Sequence, residues 1–174
     1  MKRVQGSENI GLIECVNPRI RKYVVRWDIK PYYQYVEGKG EILQGVDYYE
    51  KWFNHKPQIE EIKNEIISQM NEMIDEKIVS GFSWKDMPIW LSTENQFNYK
   101  AAYDLAVQTQ GATLPVTFKF GTTDAPVYYK FETVTDLTDF YIKAMTYINE
   151  TLNEGWVKKD SIDWTEYIKL LEEK

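Results

Sequence analysis

One plan is written twice between Gly81 and Gly155, and it limits the folds open to this chain more than any other feature. In the first copy, "GFSW" and "PIWL" are short β-type runs around the polar turn Lys85–Met87. Ser92 or Thr93 then caps a helix, with capping-box spacing from Thr93 to Gln96. That helix carries Phe97, Ala101, Ala102, Leu105 and Ala106 on one face and stops at Gly111, a suitable residue just past a helix end. In the second copy, "LPVTFKFG" (114–121) and "VYYKF" (127–131) flank the turn "TTDAP". Thr133–Asp136 reads as a cap, and Leu137, Phe140, Tyr141, Ala144, Met145, Ile148 and Leu152 form one helical stripe that Gly155 closes.

Hairpins followed by helices predict an α+β fold, with helices segregated to one side of antiparallel strands. The two hairpins could form a single four-stranded sheet under the two helices, giving a two-layer sheet/helix domain over 58–174. A long helix at 58–79 opens that domain just after Pro57, with Ile59, Ile62, Ile66, Met70, Met73 and Ile78 at helical spacing. A short helix in "DSIDWTEYIKLLEE", capped by Asp163, ends it.

Ahead of this domain, residues 1–46 read as a small antiparallel β module. "IGLIECV" is a short strand and Asn17-Pro18 a turn. Tyr23, Val25, Trp27 and Ile29 then alternate with charged residues, which is the pattern of a half-buried strand. Val24 is the one break in its polar face. Pro31 interrupts the run, "YYQYV" resumes it, and Gly38-Lys39-Gly40 turns the chain back. Residues 47–57, with Tyr48, Tyr49, Trp52 and Phe53, read as an aromatic connector that staples the module to the rest or enters an interface.

Charge is uneven along the chain. Residues 1–40 carry eight Lys/Arg against four Asp/Glu, while the whole chain has net charge −6. Such asymmetry fits contact with another macromolecule, or simply a solvated strand face bearing Arg19, Arg21, Lys22, Arg26 and Lys30. The acidic remainder argues against nucleic acid as the partner. No apolar run reaches the roughly 20 residues a bilayer span needs, and "MKRVQGSENIGL" lacks the apolar core of a signal peptide.

The chemistry of catalysis is sparse. The single Cys15 and single His55 form neither an intrachain disulfide nor a zinc cluster, consistent with folding in a reducing cytoplasm. A nucleophile needs a base beside it, and these two fall in a strand and a connector. Cys15 reads as a small apolar filler and His55 as a surface residue. No phosphate-binding glycine loop is present. Asp136 and Asp139 sit in a helical first turn, where the macrodipole explains them. The expectation is therefore a protein that is not an enzyme and has no cofactor or metal. The 15% aromatic content suits a core of rings, a protein interface or a stacking platform for a small ligand.

The run "IDEKIVSGFSWKDMPIWLSTENQFNYKAAYDLA", followed by "LPVTFKFG", "PVYYKF" and "LTDFY", resembles an uncharacterised domain family of phages and prophages, in the version found in Bacteroides phages. The resemblance covers roughly residues 58–167. It implies a helix followed by two hairpin–helix units, and an occurrence beside tail, tail-fibre and tail-assembly proteins. The function it implies is a structural protein of the virion tail or neck, present in the host cytoplasm during assembly and then in the particle. Partners would be other tail, neck or fibre proteins or further copies in a ring, with no membrane involved. The alternatives are a tail-fibre assembly chaperone and a carbohydrate- or small-ligand-binding module. The candidate interface residues are Arg19, Arg21, Arg26, Trp27, Tyr32, Tyr33, Tyr35, Tyr48, Tyr49 and Trp52.

Overall fold

The computed structural model describes residues 3–172. The fold is α+β, with antiparallel strands first and mainly helices after. Its elements are β1 (Val4–Gly6), β2 (Ile13–Asn17), β3 (Lys22–Val36), β4 (Gly40–Phe53), α1 (Ile59–Ser80), β5 (Phe82–Trp84), β6 (Met87–Ile89), α2 (Thr93–Gln108), β7 (Val116–Gly121), β8 (Pro126–Phe131), α3 (Val134–Asp160) and α4 (Thr165–Glu172).

The chain divides into two compact units, Met1–Gln69 with Ile162–Lys174, and Met70–Ser161. This differs from the division at residues 46 and 57 expected from sequence. The boundary falls inside α1, and α4 returns to the first unit. The expected aromatic connector is largely strand, because β4 runs on through Phe53. Tyr48 and Tyr49 are buried directly from a strand already paired with β3, while Trp52 stays exposed.

In the first unit the four strands lie in the order β1-β4-β3-β2, all antiparallel. Successive strand residues point to opposite faces, yet Val24 and Val25 are both fully buried. Both faces are therefore covered at this point, unlike the half-buried strand that alternation suggests. On one face Trp27 stacks near Tyr49, and its indole N–H donates to the Gln69 side-chain carbonyl on α1. Ile62, Ile66 and Gln69 form the buried stripe of that helix segment. The Tyr167 hydroxyl on α4 donates to the Arg26 carbonyl at 3.0 Å. Pro31 does not interrupt β3. The outer side of β3 is unpaired there among the described residues, which is where a strand tolerates proline.

The second unit contains both hairpin–helix copies. The hairpins β5-β6 and β7-β8 are separate two-stranded sheets rather than one sheet of four. A ring cluster joins them: Phe140 of α3 lies 5.3 Å from Trp84, 5.0 Å from Tyr99 and 5.2 Å from Phe120, centroid to centroid. Edge-to-face rings bury large areas at low conformational cost, and this cluster does the work expected of a continuous sheet. Ser92 caps α2 and Thr133 caps α3.

The face of α2 is the other departure. Phe97 and Leu105 are 72% and 50% exposed, while Tyr99 and Ala106 are buried and Tyr103 is half-buried. Tyr103 stacks on Tyr141 at 4.4 Å. The expected stripe omitted the tyrosines, whose rings bury more area than Leu or Ala. The stripe of α3 is as expected at Leu137, Phe140 and Ala144. Gly155 does not end the helix, which continues to Asp160. It is buried, and a Cβ there would meet the Ile74 Cδ1 atom of α1 at 2.2 Å. The glycine is needed for close helix approach, not for a left-handed cap.

Candidate protein-interaction surface

β3 and β4 are much longer than their neighbours. β2 pairs with β3 only as far as Val25, and β1 pairs with β4 only over Val46–Tyr48. The pairing of β3 with β4 continues to Val36↔Gly40. Residues 32–45 therefore form a two-stranded ribbon with both outer edges unpaired among the described residues. Opposed residues share a face, so Tyr33, Leu43 and Tyr35 lie on one side, with Gln34, Ile42 and Val36 on the other. Tyr33 is 52% exposed, Tyr35 73% and Leu43 40%. An isolated two-stranded hairpin is marginal in water, and free edges are templates for added strands.

The base of this ribbon is built from residues the sequence did not single out. The register of β3 against β4 shifts between Trp27 and Lys30, and Asp28 there has φ 51°, in the left-handed region. Arg3 donates to the Asp28 carbonyl at 2.6 Å and the Asp47 carbonyl at 2.9 Å, and pairs with both carboxylates. Burial opposes its charge, but the bonds to Asp47 and Asp28 outweigh that and push its pKa up. The guanidinium also lies 4.7 Å from the Tyr49 ring centroid. Gly45, opposite Tyr32 at the second register shift, has φ 147°, and a Cβ there would meet the Gly6 carbonyl at 2.2 Å. An Asp followed two residues later by Lys30-Pro31, inside a strand run, was the available signal for this irregularity.

The ten candidate residues separate into three groups. Arg26, Trp27, Tyr48 and Tyr49 are buried and do not form a surface. Arg26 is a core tie: it donates to the Gly11 carbonyl at 2.9 Å and pairs with Glu14 at 2.8 Å. It does not coat a solvated strand face, because β2 and its preceding loop cover it. The Gly11 N–H, which donates to the Glu14 carboxylate at 3.0 Å, and the pairing with Arg26 hold Glu14 below the usual carboxylate range. Arg19, Arg21 and Trp52 are exposed at the β2–β3 end, where Lys22 lies over the Trp52 ring at 4.8 Å. Tyr32, Tyr33 and Tyr35 lie on the ribbon, Tyr32 half-buried. Trp52 lies opposite Val24, eight residues from Tyr32, so at about 3.3 Å per residue the last two groups are separated by at least roughly 26 Å along β3, and the ten are not one site.

Cys15 is exposed on β2 rather than filling a core. The register opposes it to Tyr23 at the margin of the sheet, where nothing packs over a small side chain. His55 is exposed, with Nε2 2.9 Å from Glu61. Among the described residues, no group of three or more His, Cys, Asp or Glu is placed to hold a metal ion. No helix among them is long and apolar enough to cross a membrane.

The densest polar cluster lies in the second unit, at the β5–β6 turn. Lys85 donates to the Tyr129 hydroxyl at 2.7 Å and to Asp136 at 2.6 Å, and sits 4.2 Å from the Trp84 ring centroid. The Trp84 indole N–H donates to Asp139 at 2.9 Å. Bonds from Lys143 and Trp84 hold Asp139 below its ordinary range. Asp136 is also lowered, because the bonds from Lys85 and Tyr129 outweigh its burial. The cluster ties the β5–β6 turn to β8 and the first turns of α3.

Comparison with protein-family models, curated proteins and solved structures returned no match.

Proposed function

We propose that this chain is a non-enzymatic structural protein of a bacteriophage or prophage tail or neck, joined to its partners through the β3–β4 ribbon. The observation that carries the reading is the ribbon itself. Residues 32–45 have two edges unpaired among the described residues, exposed Tyr33, Tyr35 and Leu43, and a base clamped by Arg3. A strand from a partner can satisfy the open backbone groups, while the tyrosines add large amphipathic contacts. The order helix, hairpin, helix, hairpin, helix in α1 to α3 is also the order that the phage-family resemblance implies.

The partners in this reading are other tail, neck or fibre proteins, or neighbouring copies in a ring. Mass spectrometry of purified particles tests it, with Tyr33→Ser/Tyr35→Ser as the companion variant. The protein should be present in stoichiometric amount, and the folded variant should fail to incorporate. Absence from finished particles, with co-purification on an unassembled fibre, would overturn the structural role in favour of an assembly chaperone.

A further inference from the structure

The second unit contains a cleft of about 650 Å³ between β6, the start of α2 and the end of β7, within the roughly 300–1,000 Å³ range of small-molecule sites. Trp90 stands on its wall, 57% exposed. Its neighbours Ile89 and Leu91 are 1% and 0% exposed, so a firmly anchored backbone presents an indole to solvent. A large aromatic held outward between two core residues is a preorganised platform, because little freedom remains to be lost on binding.

The polar groups of the cleft have unused hydrogen-bonding capacity. Asn95 spends one side-chain N–H on the Trp90 carbonyl at 2.8 Å, leaving its own side-chain oxygen and second N–H. The Thr122 hydroxyl accepts from Ala125 N at 3.1 Å and retains its proton for donation. Among the described residues, Lys119 is the only ionisable one in the lining. Lys77, Lys85, Lys100, Lys130 and Lys143 of the same unit each pair with a carboxylate, whereas Lys119, like Lys158 and Lys159, has no such partner among the described residues. Tyr128, 69% exposed, lies directly opposite Lys119 across the β7–β8 hairpin.

We propose that this cleft binds a carboxylate-bearing oligosaccharide. One sugar ring would stack its C–H face on Trp90, hydroxyls would meet Asn95 and Thr122, and the carboxylate would meet Lys119. The aromatic platform accounts for a sugar rather than a free anion. A cation in the lining with no carboxylate beside it among the described residues accounts for the acidic group. This site is separate from the ribbon and does not depend on its role.

Titration calorimetry of the full chain tests the assignment, using trigalacturonate, a sialyllactose and an alginate trimer against neutral maltotriose and lactose. Both variants change exposed side chains, and a thermal melt confirms that each remains folded. At least one acidic sugar should bind saturably and more tightly than either neutral sugar. Trp90→Ala should weaken it at least about tenfold, as loss of a stacked ring does. Lys119→Gln should remove the preference for the acid. Three outcomes would overturn the proposal: no saturable binding of any acidic sugar, binding unaffected by Trp90→Ala, or a tetraglutamate peptide binding as tightly as the best sugar.

Discussion

Arg3 holds Asp28 at the point where β3 leaves the four-stranded sheet, donating to its carbonyl at 2.6 Å and pairing with its carboxylate. One guanidinium thereby ties the start of the chain to an irregularity 25 residues away, and the ribbon begins four residues further on, at Tyr32. Arg3→Ala should destabilise the protein by about 1–2 kcal/mol, the scale of lost charge-assisted hydrogen bonds at a partly exposed site. Arg3→Lys should recover less than half, since a point charge cannot reproduce the fork. Urea unfolding measures the loss, and amide exchange over residues 28–47 should show where it falls.

The ribbon tyrosines contribute little to their own fold if their work is done with a partner. Tyr33→Ser/Tyr35→Ser should change stability by no more than about 0.5 kcal/mol per site, as exposed substitutions do. It should nevertheless abolish self-association or partner capture, read by light scattering after size exclusion. A large loss of stability would show that the tyrosines serve the monomer instead.

Gly155 and Ile74 mark a close approach of α3 and α1 within the second unit. Alanine is the better helix former by about 1 kcal/mol, but overpacking costs about 1–3 kcal/mol. Gly155→Ala should therefore yield no gain or a net loss. Ile74→Ala removes both the Cδ1 and Cγ1 atoms that the new methyl would strike, at 2.2 and 2.7 Å. The double variant should be more stable than the sum of the single changes predicts, a coupling that a denaturation cycle reads directly.

The two-residue turn at Lys85 and Asp86 has φ 49° and 60°, a conformation glycine favours at the second position. Asp86→Gly should stabilise by roughly 0.5 kcal/mol, the part of the left-handed strain that survives glycine's entropy cost. Lys85→Gly should not stabilise, although the turn geometry alone would welcome it. That change removes the bonds to Tyr129 and Asp136. Differential scanning calorimetry distinguishes the two.

The same network sets a pH dependence. Folding lowers the Asp136 pKa from its ordinary 3.8. Its contribution is therefore complete above that value and is lost as pH falls through the lower, folded one. The stability difference between wild type and Asp136→Asn should be constant from about pH 7 to pH 5 and shrink below about pH 4. Melting curves over that range provide the check.

Local patterns in the sequence determined the elements. Ser92 and Thr133 cap the helices that follow them, the hairpins form at their turn residues, and the apolar stripe of α3 is buried at Leu137, Phe140 and Ala144. These depend on neighbours within a few residues, so a linear reading captures them. Tertiary structure alone decided which of two apolar faces of α2 turns inward, because Tyr99 and Tyr103 found ring partners that Phe97 did not. It decided that the hairpins remain separate sheets joined by a ring cluster, and that Gly155 lies inside a helix. It also divided the candidate interface. Trp27 and Tyr33 read alike in a strand pattern, but helix α1 covers one and no described strand flanks the other. Burial depends on what arrives from distant parts of the chain, and strand periodicity has no information about that.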